Sequence, residues 1–173
     1  MFTTLALLLA EAAAPESKPI PSLEEATTQI AEIDTELFWY AFEGCDAGKV
    51  RGLITDDFRM VHDLAGVVAA DGDSFAAALK EGCDDREPGG KTPGYRNRRL
   101  LVPGSDRVTP LGDWGVLHRG SHTFHEWRGD QKRWEITGGG RFLNIYQWMP
   151  EEGRFRMQET LSLDHGAARS PVP

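Results

Sequence analysis

Apolar residues in the first part of the chain follow the spacing of a helix. Between residues 22 and 44 they recur every three or four positions, which predicts one long amphipathic helix. Ser22 and Glu25 stand three residues apart at its start, the pair that forms a capping box. The helix is predicted to end near Gly44. Its apolar positions are Leu23, Ala26, Ile30, Ile33, Leu37, Tyr40 and Ala41.

Two shorter helices and a small hairpin are predicted next. The second helix begins after Asp46 and ends at the paired aspartates 56–57. The third helix is capped by Asp73 or Ser74 and is closed by Gly82. A β-hairpin with its turn at Asp63–Gly66 separates these two helices. The strands of the hairpin cover residues 58–62 and 67–69.

After residue 95 the apolar pattern changes to alternation, which is typical of strands. A loop is predicted over residues 128–136, before the glycines at 138–140. The order of elements predicts an α+β fold. In this cone-shaped fold the long N-terminal helix and two shorter helices pack in a strongly curved antiparallel sheet. The later strands are predicted over residues 98–102, 108–111, 114–127, 141–149 and 154–164.

Length and charge narrow the classes of function. The chain has 173 residues, the size of one domain, and its composition of 40% hydrophobic and 27% charged residues is globular. The formal net charge of −8 opposes binding to phosphate backbones and to anionic membrane surfaces. We therefore expect no nucleic acid and no membrane as partners.

The two ends of the chain are predicted to lie outside the folded domain. Residues 1–14 contain an apolar run followed by small residues, which is typical of a signal peptide, although no Lys or Arg precedes the run. This predicts a periplasmic or secreted protein, with a cytoplasmic location as the alternative. Residues 15–21 are interpreted as a Pro-rich linker without core residues, and residues 166–173 as a flexible tail. The domain is thus predicted over residues 22–165.

Several short motifs of the body resemble a known superfamily. The motifs are residues 42–46 (FEGCD), 54–58 (ITDDF), 62–66 (HDLAG), 120–124 (GSHTF), 140–142 (GRF) with Trp148, and 161–165 (LSLDH). They resemble an uncharacterised small bacterial branch of the nuclear transport factor 2-like superfamily, which includes SnoaL-like cyclases and ketosteroid isomerase. The resemblance implies a cone with an interior small-molecule cavity, and often a homodimer formed through the outer sheet face. It does not fix the reaction, because this superfamily hosts isomerases, dehydratases, cyclases and binding domains.

His62 and Asp63 are the predicted catalytic residues. His62 shares a strand face with Phe58 and Met60, and this apolar face is predicted to line the cavity near its mouth. In the ketosteroid isomerase-like members an aspartate base falls at about the position of His62, so the resemblance makes His62 a candidate general base. A hydrogen-bonded structural histidine is the alternative. Tyr40 is the only plausible match to the isomerase's phenol.

Further histidines and acids are predicted near the same end of the fold. His122 is expected to point inward, and the last strand ends with Asp164 and His165. If these residues meet His62 and Asp63, they offer up to five nitrogen and oxygen donors, a set that suits a divalent ion. A network of His–Asp hydrogen bonds pinning the C-terminus to the first hairpin is favoured over a metal site. No metal and no cofactor is therefore predicted.

Arg141 and Glu159 are charged residues within otherwise apolar strands. Because a buried charge must be paired, we expect a cross-strand ion pair between them. The alternative is that Arg141 binds a carboxylate ligand in the cavity. The full set of predicted ligand-binding residues is His62, His122, Arg141, Glu159, Tyr40 and His165.

Cys45 and Cys83 each follow a glycine at a predicted helix end. In an exported protein such a pair is predicted to form a disulfide, whereas in a cytosolic protein they would be two small buried residues.

Three functions are consistent with this pattern. The first is a domain that binds an unidentified small organic molecule in the cone. The second is an enzyme that carries out proton transfer, as in an isomerisation, dehydration or cyclisation, with His62 as base. The third is a non-catalytic interaction domain. A homodimer is expected because the outer sheet face carries Leu117, Thr123 and Trp127 among polar residues.

Overall fold

A computed structural model describes residues 17–166. The predicted signal peptide, the first residues of the predicted linker and the tail at 167–173 lie outside the described residues. Three helices pack against one curved sheet of seven strands, the predicted α+β architecture. The helices are α1 (Leu23–Ala41), α2 (Ala47–Leu53) and α3 (Gly72–Asp84). The strands are β1 (Ile54–His62), β2 (Gly66–Ala69), β3 (Asn97–Leu101), β4 (Arg107–Leu111), β5 (Gly115–Arg128), β6 (Arg133–Met149) and β7 (Arg154–Gly166).

The sheet is mixed rather than fully antiparallel. Its strand order is β2-β1-β7-β6-β5-β3, and β4 also pairs with β5. All pairs are antiparallel except β1 and β7, which run parallel. The prediction of an antiparallel sheet is wrong at this pair, because alternation identifies strands but does not say which distant strands become neighbours.

Strand β6 begins earlier than its glycines suggest. The predicted loop over residues 128–136 is shorter, since β6 starts at Arg133 and includes Gly138, Gly139 and Gly140. A Cβ atom on Gly140 would lie 2.8 Å from the carbonyl oxygen of Leu163. Glycine is therefore needed here for the close approach of β7, not for a turn.

The helix ends follow capping chemistry. The capping box of Ser22 and Glu25 starts α1 as predicted, and the helix ends three residues before Gly44. The cap of α3 is Asp71, whose side chain accepts a hydrogen bond from the backbone N–H of Ser74 at 2.7 Å. The aspartates 56–57 lie within β1, so they do not end α2 as predicted.

The segment before α1 belongs to the domain. The backbone N–H of Lys18 donates to the carbonyl oxygen of Pro150 at 3.0 Å, and the indole N–H of Trp148 donates to the carbonyl oxygen of Lys18 at 2.9 Å. Ile20 packs against the core. The prediction of a linker without core residues is wrong for this stretch. At the other end, Gly166 completes β7, paired with Gly139.

Cys45 and Cys83 form a disulfide with their Cα atoms 5.6 Å apart. It joins the turn after α1 to the last turn of α3. Within residues 17–166 no helix combines the length and the apolar character that a membrane span requires.

Candidate functional site

A cavity of about 270 Å³ lies between the helices and the sheet. Helices α1 and α3 supply one side of its wall, and strands β1, β5, β6 and β7 supply the other. The wall is largely apolar, with a few polar side chains. The polar ones are Arg86, His122, Thr160 and Ser162. The apolar ones are Leu37, Phe38, Ala41, Phe42, Ile54, Phe58, Met60, Phe75, Leu79, Phe124, Phe142 and Met157.

His122 is a neutral hydrogen-bond donor in this wall. Burial, together with the positive charge of Arg99, lowers the pKa of its imidazole to about 3. Its Nδ1 accepts a hydrogen bond from Nε–H of Arg99 at 3.2 Å, so the proton of the neutral ring is on Nε2. Nε2 is buried and has no hydrogen-bond partner among the described residues. The inward position predicted for His122 is what the structure shows.

Arg99 is held by a buried ion pair that the sequence analysis missed. Its Nη1 donates to Oδ2 of Asp34 on α1, and its side chain is only 1% exposed. The guanidinium lies over the rings of Phe38 at 3.8 Å and Phe142 at 4.7 Å, which adds cation–π attraction. One signal was available in the sequence, since Asp34 falls four residues after Ile30 on the apolar stripe of α1.

His118 extends this network away from the cavity. Its Nδ1 lies 3.7 Å from Oδ1 of Asp34, and its Nε2 lies 3.5 Å from Oδ2 of Asp106. Burial lowers the pKa of His118, although the charge of Asp34 opposes the effect. Asp34, Arg99, His118 and Asp106 also line a second cavity of about 270 Å³, on the side of α1 that faces β3 and β5. Phe38 on α1 lines both cavities.

His62, Asp63 and His165 form a cluster beside the first cavity, here called the rim cluster. The Nδ1 atoms of His62 and His165 lie 3.1 Å and 2.8 Å from Oδ1 of Asp63, and the two imidazole rings stack 4.1 Å apart. The ring of His165 is 5.8 Å from the rings of His122 and Phe124, which belong to the cavity wall. His62 and His165 themselves are not part of that wall.

Asp63 fixes the rim cluster to the end of β7. Its Oδ2 accepts the backbone N–H of His165 at 2.8 Å. Partial burial raises the pKa of the carboxyl, but these hydrogen bonds and the charges of His165 and His62 outweigh it, so the pKa lies below its usual value. The structure therefore contains the predicted His–Asp network that pins the C-terminal strand to the first hairpin. Among the residues described, the rim cluster is the group whose donor atoms suit a metal ion.

Arg141 and Glu159 do not pair with each other. Arg141 pairs with Asp164, and Nη1 of Arg59 lies 3.0 Å from Glu159. Arg141 is largely exposed on the outer face of β6, so it does not reach the cavity as a carboxylate-binding residue. Both predictions for this pair are wrong.

A bulge explains the error at Glu159. The register of β7 against β6 shifts between Met157 and Glu159. Odd-numbered residues such as Phe155 and Met157 point inward before the shift, and Thr160 and Ser162 point inward after it. Strict alternation places Glu159 on the buried face. The one extra residue of the bulge turns its side chain to the outer face instead.

Tyr40 and Asp164 also lie away from the cavity. Tyr40 packs beside Trp39 and lines a surface cleft with Glu36 and Lys49. Asp164 is engaged by Arg141 and does not join the rim cluster. Of the predicted site residues, the structure brings together His62, Asp63 and His165, with His122 adjacent.

Comparison with known proteins identifies the fold. No protein-family model and no curated protein matches the chain. Solved structures do match, at low sequence identity. A nuclear transport factor 2-like superfamily protein from Salmonella enterica has a TM-score of 0.62 at 12% identity, covering 87% of this chain and 96% of its own.

Two further structures give the same result. An NTF2-like protein with a cystatin-like fold from Novosphingobium aromaticivorans has a TM-score of 0.61 at 16% identity, covering 81% of this chain and 82% of its own. A protein from Catenulispora acidiphila, solved in complex with S-DNPA, has a TM-score of 0.62 at 11% identity, covering 80% of this chain and 94% of its own. The chain therefore has the NTF2-like fold, which confirms the fold that the sequence resemblance implied.

Proposed function

We propose that this protein binds a small, largely apolar organic molecule in its interior cavity, through an acceptor such as a carbonyl oxygen. The observation that carries the proposal is the buried Nε2–H of His122, which has no partner in a wall of mostly apolar side chains. An unpaired buried donor costs about 1–3 kcal/mol, and a ligand oxygen at this position would recover that energy.

Near His122 the wall favours a ligand group without formal charge, whereas Arg86, whose buried Nε has no hydrogen-bond partner among the described residues, is the cationic group of the same wall. His122 is neutral above a pH of about 3, and the positive charge of Arg99 is already balanced by Asp34. An anionic ligand would lose its hydration without gaining a free cationic partner at His122. A cavity of about 270 Å³ has room for a bicyclic aromatic or similar compact ring system. A protein of similar fold from Catenulispora acidiphila was solved in complex with S-DNPA, which supports the proposal of a ligand for this chain.

The proposal is tested with two matched probes. 2-Acetylnaphthalene carries a carbonyl acceptor, and 2-ethylnaphthalene has nearly the same shape without one. Both should bind, and the ketone should bind about fivefold more tightly, the equivalent of one hydrogen bond worth about 1 kcal/mol. Isothermal titration or fluorescence gives the two dissociation constants directly.

Two variants and a control locate the binding site. Leu79→Trp fills the cavity and should abolish binding of both probes. His122→Asn keeps an oxygen near the position of Nδ1 for Arg99 but loses the donor at Nε2, so only the preference for the ketone should disappear. Ile136→Trp, at an exposed position outside the wall, should change neither. Unchanged binding in Leu79→Trp would contradict the proposal.

Proton-transfer catalysis with His62 as base stays a prediction. Nδ1 of His62 accepts the backbone N–H of Leu64 at 3.2 Å, and the ring lies beside His165 rather than on the cavity wall. The geometry therefore supports ligand binding more directly than catalysis by this residue.

A further inference from the structure

We propose that the rim cluster of His62, Asp63 and His165 is a binding site for a divalent transition metal ion such as Zn²⁺. This site is separate from the proposed ligand cavity, and each can be tested without the other. Three donor atoms converge in the rim cluster, one contact between them is not a hydrogen bond, and water can reach all three side chains.

The donor atoms already lie near the positions of metal ligands. The Nδ1 atoms of His62 and His165 are 3.1 Å and 2.8 Å from Oδ1 of Asp63, and one donor atom from each residue lies within 4.8 Å of the others. Ligands of a tetrahedral zinc ion at about 2.0–2.1 Å are roughly 3.3 Å from one another. The two distances to Asp63 thus need to lengthen by about 0.2–0.5 Å, and the third donor pair, from His62 and His165, lies within 4.8 Å.

When the imidazole of His62 is neutral, its contact with Asp63 lacks a proton that the two atoms could share. Nδ1 of His62 accepts the backbone N–H of Leu64 at 3.2 Å, so it presents a lone pair. Oδ1 of Asp63 also presents lone pairs, yet the two atoms are only 3.1 Å apart. A cation between them would turn this repulsion into two bonds. The N–H of Leu64 could then bind water, because Leu64 is exposed.

The surroundings suit an ion with an open coordination position. The other oxygen of Asp63 accepts the backbone N–H of His165 at 2.8 Å, which holds the carboxylate in place as outer hydrogen bonds do in metal sites. The side chains of His62, Asp63 and His165 are 25%, 23% and 12% exposed, so water can reach the fourth position. Two imidazoles and one carboxylate favour Zn²⁺ or a similar ion over Mg²⁺ or Ca²⁺.

Titration of the untagged full chain with Zn²⁺ by calorimetry tests the site. We expect one ion per chain, and no comparable binding of Mg²⁺. His165→Ala and Asp63→Ala should each weaken Zn²⁺ binding more than tenfold. The matched control is His125→Ala, whose histidine contacts Thr123 on β5 outside the cluster and whose loss should leave the affinity unchanged. Absence of Zn²⁺ binding, or equal affinity in all three variants, would overturn the proposal.

A second measurement uses the wild-type chain alone, so its result does not depend on the folding of a variant. In the wild-type chain labelled with ¹⁵N-histidine, Zn²⁺ should shift the ring nitrogen signals of His62 and His165. The chain has five histidines, and His118, His122 and His125 should keep their signals. Shifts confined to His125, or shared by all five rings, would show that the ion binds elsewhere and would contradict the assignment.

Discussion

At the scale of single residues, burial decides what each polar side chain can do. Arg99 is buried with its charge balanced by Asp34, and it holds the proton of His122 on Nε2. The buried phenol of Tyr146, whose pKa is raised by burial, is a further polar group in the same interior. The interior therefore combines an apolar cavity with a fixed polar network beside it.

Stability should fall in acid through His122. The pKa of His122 is about 3 in the folded protein and about 6.5 when unfolded, so between these values the unfolded chain binds more protons. The free energy of unfolding should thus decrease as the pH falls from about 6.5 towards 3, by an amount on the order of a few kcal/mol. His122→Asn should remove this contribution. Urea denaturation of the wild type and of His122→Asn at several pH values measures this contribution. If the unfolding free energies of the two proteins change with pH in parallel, the prediction is contradicted.

Breaking the ion pair of Asp34 and Arg99 should be costly. Asp34→Leu leaves the guanidinium of Arg99 buried without its partner, and the expected loss is about 3–5 kcal/mol of unfolding free energy. The double variant Asp34→Leu with Arg99→Met removes both charges. It should lose clearly less unfolding free energy than Asp34→Leu alone. Chemical denaturation of the two single variants and the double variant measures the coupling. If the loss of unfolding free energy in the double variant equals the sum of the losses in the two single variants, the two charges are not coupled, which would contradict the prediction.

Residue roles were predictable where the signal was local. The inward position of His122 follows from alternation along β5. The partnership of Asp34 with Arg99 joins residues 65 positions apart, and nothing in the spacing of either one identifies the other. Glu159 was misplaced because a bulge leaves no mark in the pattern of apolar residues.

At the scale of elements, capping and periodicity identified the helices and most strands. The capping box located the start of α1, and alternation located β5 and β7. The predicted strand starts at residue 141, after the glycines of β6, and glycine is usually depleted in strands. Here a neighbouring strand requires the absence of a side chain at Gly140, and only the tertiary structure shows that.

The disulfide should stabilise the contact between α1 and α3. Cys45 and Cys83 are 38 positions apart, so in the chain-entropy model the bond contributes about 4 kcal/mol. The double variant Cys45→Ala with Cys83→Ala should unfold at a lower temperature than the wild type. Adding a reductant should lower the melting temperature of the wild type and leave that of the variant unchanged. Equal melting temperatures of wild type and variant would contradict the prediction.

At the scale of the whole molecule, the order of elements and the short motifs were enough to predict the fold. The parallel pairing of β1 with β7 could not be predicted in this way, since it depends on how the sheet curves around the helices. The cavity follows from that curvature and from the apolar faces of α1 and α3.

We predict that the chain forms a homodimer through the outer face of the sheet. Leu117, Leu143, Ile145 and Leu161 lie on this face and are only half-buried within one chain. Light scattering should give twice the chain mass of 19.2 kDa at micromolar concentration. Ile145→Glu should yield a monomer, whereas Leu64→Glu on the exposed hairpin turn should not. A wild-type species of 19.2 kDa would contradict the prediction.

The central claim is that His122 offers a neutral Nε2–H to a ligand inside the cavity. The most direct test is the ring N–H signal of His122 in ¹⁵N-histidine-labelled protein at neutral pH, recorded while 2-acetylnaphthalene is added. The account predicts a neutral ring protonated at Nε2, with an Nε2–H proton that moves downfield with the ketone and less with 2-ethylnaphthalene. A ring protonated at Nδ1, a doubly protonated ring, or an Nε2–H signal unaffected by saturating ketone would contradict it.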